Sequence, residues 1–271
     1  MDEIEQAAPA EKGERIAKML ARAGIASRRD AEKLIADGVV KLNGKLVETP
    51  ATFIKLGDQV TVDGKLVAEP QRTRLFRYHK PAGLVTTHKD EKGRPTVFQK
   101  LPEELGRLIS VGRLDLNSEG LLLLTNDGEL ARKLELPANG WIRRYRVRVH
   151  GSPTDRDLAA LAAGVTVDGM RYGSIEAGLD SRQGANSWLT VALQEGKNRE
   201  IRRVMDHLGL DVSRLLRTGY GPFQLGSLPR GAIEEVHPKV LREQLGVKSE
   251  AAEARVAERQ ARKKPVAPVE A

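Results

Sequence analysis

The carboxylate of Asp115 stands shortly before the most hydrophobic run of this sequence, in the stretch GRLDLNSEGLLLLTNDG (residues 112–128). The run Leu121–Leu124 predicts a buried strand or a buried turn of helix, which Asn-Asp-Gly then ends. A carboxylate so close to a core is destabilising unless it is paired, so Asp115 requires an explanation. It is either a nucleophile, as carboxylates are in covalent catalysis, or a loop residue capped by backbone N–H groups.

The sequence does not indicate other kinds of chemistry. The five histidines are scattered without metal-ligand spacing and the chain has no cysteine, so no metal site is predicted. Neither a P-loop nor a Gly-rich dinucleotide motif is present, and we expect no cofactor. A glycosidase would need a second carboxylate at a defined distance from Asp115, and Glu119 is the only near candidate.

The composition is that of a basic globular protein. The chain has 271 residues and a formal net charge of +8. This excess suggests a nucleic-acid partner, although a merely basic protein is an equal alternative from composition alone. No apolar run approaches the roughly 18 residues of a membrane span, and the acidic, polar start is not a signal peptide. We therefore expect a cytoplasmic monomer without a membrane partner.

Residues 12–67 predict a small module of two helices and two hairpins. The stretches ERIAKMLARAG and SRRDAEKLIADG carry apolar residues at helical spacing, and each ends at a glycine. Ser27 is a suitable N-cap for the second helix. Asn43-Gly44 and Asp63-Gly64 are typical of hairpin turns. The core of such a module is small, as expected for its length.

Two cations follow the predicted cap of the second helix. Arg28 and Arg29 in a first helical turn oppose the positive end of the helix dipole. They indicate either a solvated helix end or, as we favour, a phosphate contact made by two arginines and free N–H groups. Lys33, one turn further on, is predicted to bind RNA with them.

A larger domain is predicted over residues 75–245, after a linker at residues 68–74. Its short strands are broken by Gly and Pro, and clearer helices begin near Asp155 and Glu200. This pattern indicates an α+β fold with a mixed, largely antiparallel sheet. Two terminal segments are expected to be disordered, residues 1–11 and 246–271.

Four motifs, in order along the larger domain, resemble the RsuA-type pseudouridine synthases. They are YHKPAGLVTTHKDEKGRPTVFQKLP, GRLDLNSEGLLLLTNDGELA, WIRRYRVRVHG and LQEGKNREIRRVMDHLGLDV, within about Arg77 to Pro238. The stretch ARAGIASRRDAEKLIADGVVKLNGKLV resembles the small RNA-binding module of ribosomal protein S4. The two resemblances together cover nearly all of the chain outside its ends.

The resemblance implies a reaction and a nucleophile. A uridine in folded RNA would be isomerised to pseudouridine, with its base detached from C1′ and reattached through C5. In this family the aspartate of the G-R-L-D motif is the nucleophile, which is Asp115 here. Because a stacked uridine is unreachable, its nucleotide must be flipped into a pocket.

The resemblance also implies roles for other residues. Tyr145 corresponds to the tyrosine that stacks on the target uracil and is a candidate for the C5 proton transfer; a core tyrosine is the alternative. Arg202 corresponds to the basic residue that pairs with the aspartate, and such a pair lowers a carboxylate pKa by about 1–3. We expect Asp115, Tyr145 and Arg202 to converge in one cleft. Further predicted RNA contacts are Arg113, Arg199 and Arg203.

The expected substrate is ribosomal RNA. The basic module, this catalytic domain and a charged tail look most like the RluB-like enzymes of this family, which act on 23S rRNA. The alternatives are the same chemistry on 16S rRNA or tRNA, and a non-catalytic RNA-binding factor in ribosome assembly. The sequence does not identify the uridine.

Overall fold

The computed structural model describes residues 13–55, 57–68 and 71–245. The terminal segments expected to be disordered, residues 1–11 and 246–271, lie outside these ranges. Within them the chain forms an N-terminal module and a larger domain, which have separate apolar cores. None of the helices in this described part is long and apolar enough to cross a membrane.

The N-terminal module contains the predicted helices and hairpins. Its helices are α1 (Ile16–Arg22) and α2 (Arg28–Ala36). Its strands are β1 (Glu14–Arg15), β2 (Val40–Leu42), β3 (Lys45–Leu46), β4 (Phe53–Ile54), β5 (Val60–Val62) and β6 (Lys65–Leu66). Strand order is β3-β2-β5-β6, and β1 pairs with β4. Ser27 caps α2 as predicted, because its hydroxyl accepts the Asp30 N–H at 3.1 Å.

The larger domain is built on a mixed sheet in which almost all strand pairs are antiparallel, as the sequence predicts. The described residues give the order β13-β14-β10-β15-β9-β7-β17, with β16 on β15 and β8 on β9. Among the described strands of this sheet, only β9 and β15 are paired in parallel. The strands are β7 (Leu75–Lys80), β8 (Ile109–Val111), β9 (Ser118–Thr125), β10 (Arg143–His150), β13 (Ile175–Gln183), β14 (Asn186–Leu193), β15 (Asp211–Tyr220), β16 (Phe223–Gln224) and β17 (Ile233–Glu235). A separate hairpin consists of β11 (Val165–Val167) and β12 (Met170–Tyr172).

Four helices accompany the sheet. They are α3 (Gly128–Glu135), α4 (Asp155–Ala160), α5 (Glu200–His207) and α6 (Pro238–Leu245). The sequence predicts α4 and α5 but not α3, because Asn126-Asp127-Gly128 was interpreted only as the end of a strand. The Asp127 carboxylate accepts the N–H groups of Glu129 at 2.8 Å and Leu130 at 3.3 Å. The residues that end β9 therefore also begin α3.

Strand β9 explains the leucine run. Leu121 and Leu123 belong to the core under α3, whereas Leu122 and Leu124 belong to the core on the other face. All four are at most 1% exposed. A strand that is buried on both faces has a continuous apolar sequence rather than an alternating one. The run is thus a strand, which was one of the two predicted possibilities.

The segment predicted as a linker is partly attached to the larger domain. The Thr73 hydroxyl donates to Asp127 Oδ2 at 2.7 Å, and the Asn126 side chain donates to the Arg72 carbonyl at 2.9 Å. The N-terminal module contacts the same corner, because Lys18 of α1 forms an ion pair with Glu129 at the start of α3. The N-terminal module is therefore in contact with the start of α3, a helix that the sequence did not predict.

Candidate active site

Asp115 lies in the turn between β8 and β9, and this turn is fixed through its backbone. Lys80, fully buried at the end of β7, donates to the carbonyl oxygens of Asp115 at 3.0 Å and Ser118 at 2.8 Å. The Ser118 N–H closes the turn by donating to the Asp115 carbonyl at 3.0 Å. The Thr86 hydroxyl holds the preceding residue by donating to the Leu114 carbonyl at 2.8 Å. The position of Asp115 is thereby set before any ligand binds.

The side chain of Asp115 is half-buried and available for chemistry. Among the described residues, neither a backbone N–H nor a side chain donates a hydrogen bond to its carboxylate. The alternative that Asp115 is a loop residue capped by backbone N–H groups is therefore wrong. Burial lowers the pKa of the neighbouring Lys80 to about 8, while the negative charges of Asp115 and Glu119 oppose that shift.

Tyr145 lies on β10, where the predicted alternation is present. Val147 and Val149 on its face are fully buried, whereas Arg144 and Arg146 on the other face are exposed. Tyr145 itself is half-buried and lies at the edge of the core beneath α5. It is therefore not enclosed in the core, and part of its ring is accessible to a ligand.

Asp115 and Tyr145 line one cavity of about 430 Å³. Its walls come from the turn before β9, from β10, β14 and β15, and from the start of α5. The charged residues among those that line it are Arg113, Asp115, Glu135, Arg143, Lys197, Arg199, Glu200 and Arg217. The excess of cations suits an anionic ligand such as an RNA strand.

Arg202 lies beside this cavity but does not line it. Its guanidinium donates to the carbonyl oxygens of Val212 at 2.9 Å and Asn117 at 3.1 Å. Burial and the charge of Arg199 lower the pKa of Arg202, and the charge of Asp115 opposes this. No salt bridge joins Arg202 to Asp115 within the part of the chain that the structure describes. The predicted direct pair is thus replaced by a longer-range attraction, and both Nη groups of Arg202 donate to carbonyl oxygens instead.

The other predicted RNA contacts are divided between two places. Arg113 and Arg199 line the cavity, and Arg203 is exposed on α5. Arg199 has a left-handed backbone, with φ of 51°, at the start of that helix. The remaining predicted contacts, Arg28, Arg29 and Lys33, are exposed on α2 of the N-terminal module.

Arg28 lines a second, smaller cavity of about 170 Å³ between the module and the larger domain. Lys18, Arg22 and Arg107 line it as well. Lys33 forms an ion pair with Asp30, whose carboxylate lies 3.6 Å from the lysine ammonium, and both side chains are largely exposed. No ion pair of this kind is present for Arg28 or Arg29 among the described residues. The phosphate contact predicted for α2 is therefore outside the cavity that contains Asp115.

Glu119, the second carboxylate considered in the sequence analysis, does not line the cavity, and it accepts two hydrogen bonds from Arg214, at 2.9 Å and 3.2 Å.

Three buried polar residues in or beside the cavity were missed by the sequence analysis. Glu200 lines the cavity, and burial raises the pKa of this carboxyl group. Lys80 and Arg217 were not considered at all. Nothing local in the sequence marks these residues, since their importance depends on burial by distant segments.

No group of three or more His, Cys, Asp or Glu that could hold a metal ion occurs in the described ranges. The chemical groups in the cavity are an available carboxylate, a partly accessible tyrosine and several cations. A separate basic helical module, joined to a domain that carries such a cavity on a mixed sheet, is the arrangement of an enzyme that acts on RNA.

Comparison with known proteins agrees with this class. The RNA pseudouridylate synthase family matches residues 74–207, and the S4 domain family matches residues 14–60. An RNA pseudouridine synthase of Rickettsia felis is 48% identical over 228 residues, which are 84% of this chain and 99% of that protein. The chain belongs to the RNA pseudouridine synthase family, and it is an RNA pseudouridine synthase with an N-terminal S4 domain.

Two further similarities extend over most of the chain. The ribosomal large subunit pseudouridine synthase B of Pasteurella multocida is 41% identical over 252 residues, covering 89% of this chain and 73% of that protein. A crystal structure of a pseudouridylate synthase superposes with a TM-score of 0.59 at 27% identity, covering 85% of this chain and 99% of the other. The overall architecture is thus that of a known pseudouridylate synthase.

Proposed function

We propose that this enzyme isomerises one specific uridine of 23S rRNA, with Asp115 as the nucleophile. The observation that carries the assignment is that Asp115 and Tyr145, which are distant in sequence, line the same cavity. The choice of 23S rRNA is supported by the similarity to large-subunit enzymes such as that of Pasteurella multocida. A monomer acting in the cytoplasm, where rRNA is made, completes the proposal.

The reaction uses the groups in the cavity as follows. The target nucleotide is flipped from its stack, and its uracil lies against the Tyr145 ring. The Asp115 carboxylate forms a covalent bond with the sugar or the uracil ring, the glycosidic bond to N1 breaks, and C5 then bonds to C1′. Arg202 lies beside the cavity, and its positive charge attracts the Asp115 carboxylate without a direct hydrogen bond.

Binding of the RNA is divided between the domains. Arg113 and Arg199 at the cavity contact the backbone of the flipped nucleotide, and Arg203 extends this surface along α5. Arg28, Arg29 and Lys33 on the N-terminal module bind phosphates at some distance from the reacting uridine. The module therefore contributes affinity and orientation, whereas the cavity contributes the chemistry.

The variant Asp115→Asn tests the nucleophile. Asparagine is nearly isosteric and leaves the backbone bonds from Lys80 and Ser118 in place, so we expect normal folding and RNA affinity within a few fold. Tritium release from [5-³H]uridine-labelled rRNA should fall to background, because an amide cannot form the covalent intermediate. The matched control is Asp168→Asn, which makes the same change in an exposed hairpin turn and should keep full activity.

Tritium release by the Asp115→Asn variant at an appreciable rate would show that Asp115 is not the nucleophile. Loss of activity together with loss of the folded state, measured by circular dichroism, would instead support a structural role for Asp115.

The target is tested separately in cells. Sequencing of carbodiimide-treated RNA from a strain that lacks the gene should reveal the loss of one pseudouridine in 23S rRNA. Loss of a site in 16S rRNA or in tRNA would keep the chemistry and change the substrate. An unchanged pseudouridine pattern in all three RNAs would contradict the proposed function.

A further inference from the structure

Arg217 is a buried cation in the wall of the catalytic cavity. It lies on β15 directly opposite Tyr145 of β10 in the strand register, and it is 3% exposed. Its Nε donates to the Leu121 carbonyl at 2.7 Å, but its Nη2 is buried without a hydrogen-bond partner. The remaining nitrogen, Nη1, also has no hydrogen-bond partner among the described residues and, unlike Nη2, is not fully buried, so it is the donor that a ligand in the cavity can reach. A largely buried guanidinium with free donors is destabilising unless a ligand supplies an acceptor.

The surrounding residues hold the Arg217 guanidinium in one place. Its Cζ lies 5.2 Å from the centroid of the Tyr220 ring, a cation–π distance. The Tyr220 hydroxyl in turn donates to the Leu134 carbonyl at 3.2 Å. The backbone of Arg217 pairs with that of Gly120, where an added Cβ would lie 2.2 Å from the Arg217 carbonyl oxygen. The guanidinium, with its free and accessible Nη1 N–H groups, is therefore preorganised at the cavity wall.

Other cations near Asp115 are less suited to bind an acceptor deep in the cavity. The Lys80 ammonium donates to backbone carbonyl oxygens, including those of Asp115 and Ser118. Arg202 also has an unpartnered Nε, but it does not line the cavity. Arg113 and Arg199 line it and are exposed, as expected for contacts to phosphate.

We propose that Arg217 stabilises the negative charge that develops on the uracil during the reaction. This rests on the proposed function, in which the Asp115 carboxylate forms a covalent intermediate. If the carboxylate bonds to C1′, the C1′–N1 bond breaks and its electron pair leaves with the uracil, where N1, O2 and O4 share it. If the carboxylate adds to C6 instead, the displaced electron pair also reaches O4. In both cases the free N–H of Arg217 donates to a uracil carbonyl oxygen.

The later steps restore the enzyme. On the C1′ route, C5 of the uracil anion attacks C1′, and the bond between C1′ and the Asp115 oxygen breaks to return the carboxylate. The C5 proton leaves to a base, and N1 takes up a proton, so the product is an isomer of the substrate. Arg217 acts as an electrostatic group throughout and neither gains nor loses a proton.

A comparison of two substrates tests the role of Arg217. Fluorine at C5 makes the uracil anion intrinsically more stable, so a 5-fluorouridine substrate should depend less on the arginine. We expect Arg217→Gln to slow single-turnover consumption of uridine RNA by about 10²–10³-fold, the loss seen when one oxyanion donor is removed. The loss on 5-fluorouridine RNA should be at least about tenfold smaller. Consumption of the starting nucleoside is measured after nuclease digestion.

Controls separate this role from packing. Arg144→Gln removes the same charge on the exposed face of β10, and it should change neither rate. Arg217→Lys keeps the cation and should recover part of the uridine rate. Equal losses of Arg217→Gln on the two substrates, or an Arg217→Lys variant as slow as Arg217→Gln, would overturn the proposal. These outcomes are independent of the Asp115→Asn experiment, which by itself decides whether Asp115 is the nucleophile.

Discussion

At the scale of single residues, Asp115 is positioned through its carbonyl group and not through its carboxylate. The contact between Lys80 and the Asp115 carbonyl keeps the turn in place, while the reactive end of the side chain remains unpaired in the described structure. Support of this kind leaves the carboxylate free to form a bond to substrate. If Asp115 is the nucleophile, as we propose, catalysis is expected to depend on the protonation of Lys80, which does not itself line the cavity.

We predict that the reaction rate declines as the pH rises through the pKa of Lys80, which is about 8. Neutral Lys80 has one N–H fewer for the carbonyl oxygens around it, so the turn that carries Asp115 loosens. Lys80→Met should lower the single-turnover rate by about 10- to 100-fold, as displacement of a reacting group by about 1 Å does. It should also remove this alkaline decline. The control, Lys41→Met at an exposed position of β2, should keep the wild-type dependence of rate on pH.

The contribution of Lys80 to the free energy of unfolding should rise with pH over the range in which the reaction rate declines. The pKa of Lys80 is lower in the folded protein than the ordinary value of 10.5, so the unfolded chain binds more protons between about pH 8 and 10.5. The contribution of Lys80 to the free energy of unfolding therefore rises with pH in this window. Urea denaturation at each pH measures this contribution.

In the rate experiment, an alkaline decline that persists in Lys80→Met would contradict the positioning role of Lys80.

We predict that Tyr145→Phe separates stacking from proton transfer. The phenyl ring keeps the stacking, worth roughly 1–3 kcal/mol per base, so the gel-shift affinity for RNA should remain within a few fold. If the hydroxyl takes part in moving the C5 proton, its loss should slow rearrangement by about 10²-fold or more. Unchanged turnover would reduce Tyr145 to a stacking platform. Tyr145→Ala, which loses both functions, is the comparison.

The site residues that the sequence indicated and those that it did not indicate differ in the kind of signal that marks them. Asp115 and Tyr145 lie within recognisable motifs, and the structure brings them to one cavity. The expected contact of Arg202 with Asp115 is absent because Val212 and Asn117 supply acceptors, and no local pattern indicates these. Lys80 and Arg217 matter because distant segments bury them, which is a tertiary property.

At the scale of elements, the parallel pairing of β9 with β15 brings Asp115 and Arg217 to one cavity. Gly120 makes this pairing possible, because its φ of 101° and its close approach to Arg217 exclude a side chain. We predict that Gly120→Ala lowers the free energy of unfolding by about 3 kcal/mol or more, given about 1–3 kcal/mol for backbone strain plus the clash. Gly184→Ala also needs a positive φ, but one of 58°, which lies in the left-handed region that other residues can adopt, and it has no contact within 4 Å, so it should cost about 1 kcal/mol. Equal losses in urea denaturation would mean that the approach to Arg217 is unimportant.

Elements with strong local signals were predictable, whereas those that depend on partners were not. The Asn43-Gly44 turn determines its hairpin by conformation alone, and Ser27 marks the start of α2 by its capping bond. The run of four leucines was compatible with a buried strand or a buried helical turn, because its sequence alone does not show how its two faces are packed. Helix α3 was missed since the Asp127 cap also fits the end of a strand.

At the scale of the whole molecule, the N-terminal module rests on the corner where α3 begins. Lys18 contacts Glu129 there. Burial raises the pKa of Asp127, which caps α3, but the hydrogen bonds from Thr73, Glu129 and Leu130, followed by the charge of Arg22, lower it overall. The smaller cavity between the two domains is lined by cations from both. The module thus holds α2 at a defined position relative to the cavity that contains Asp115.

We predict that replacing both Arg28 and Arg29 by alanine weakens RNA binding without slowing chemistry. For single-stranded contacts, each lost phosphate contact should lower the slope of log affinity against log salt by about 0.7. Single-turnover rates at saturating enzyme should change little, because Asp115 and Tyr145 are on the other domain. The control removes two charges from α6, by Lys239→Ala and Arg242→Ala, and should leave the salt slope unchanged. A large loss of single-turnover rate at saturation, with binding intact, would mean that the module takes part in assembling the active site.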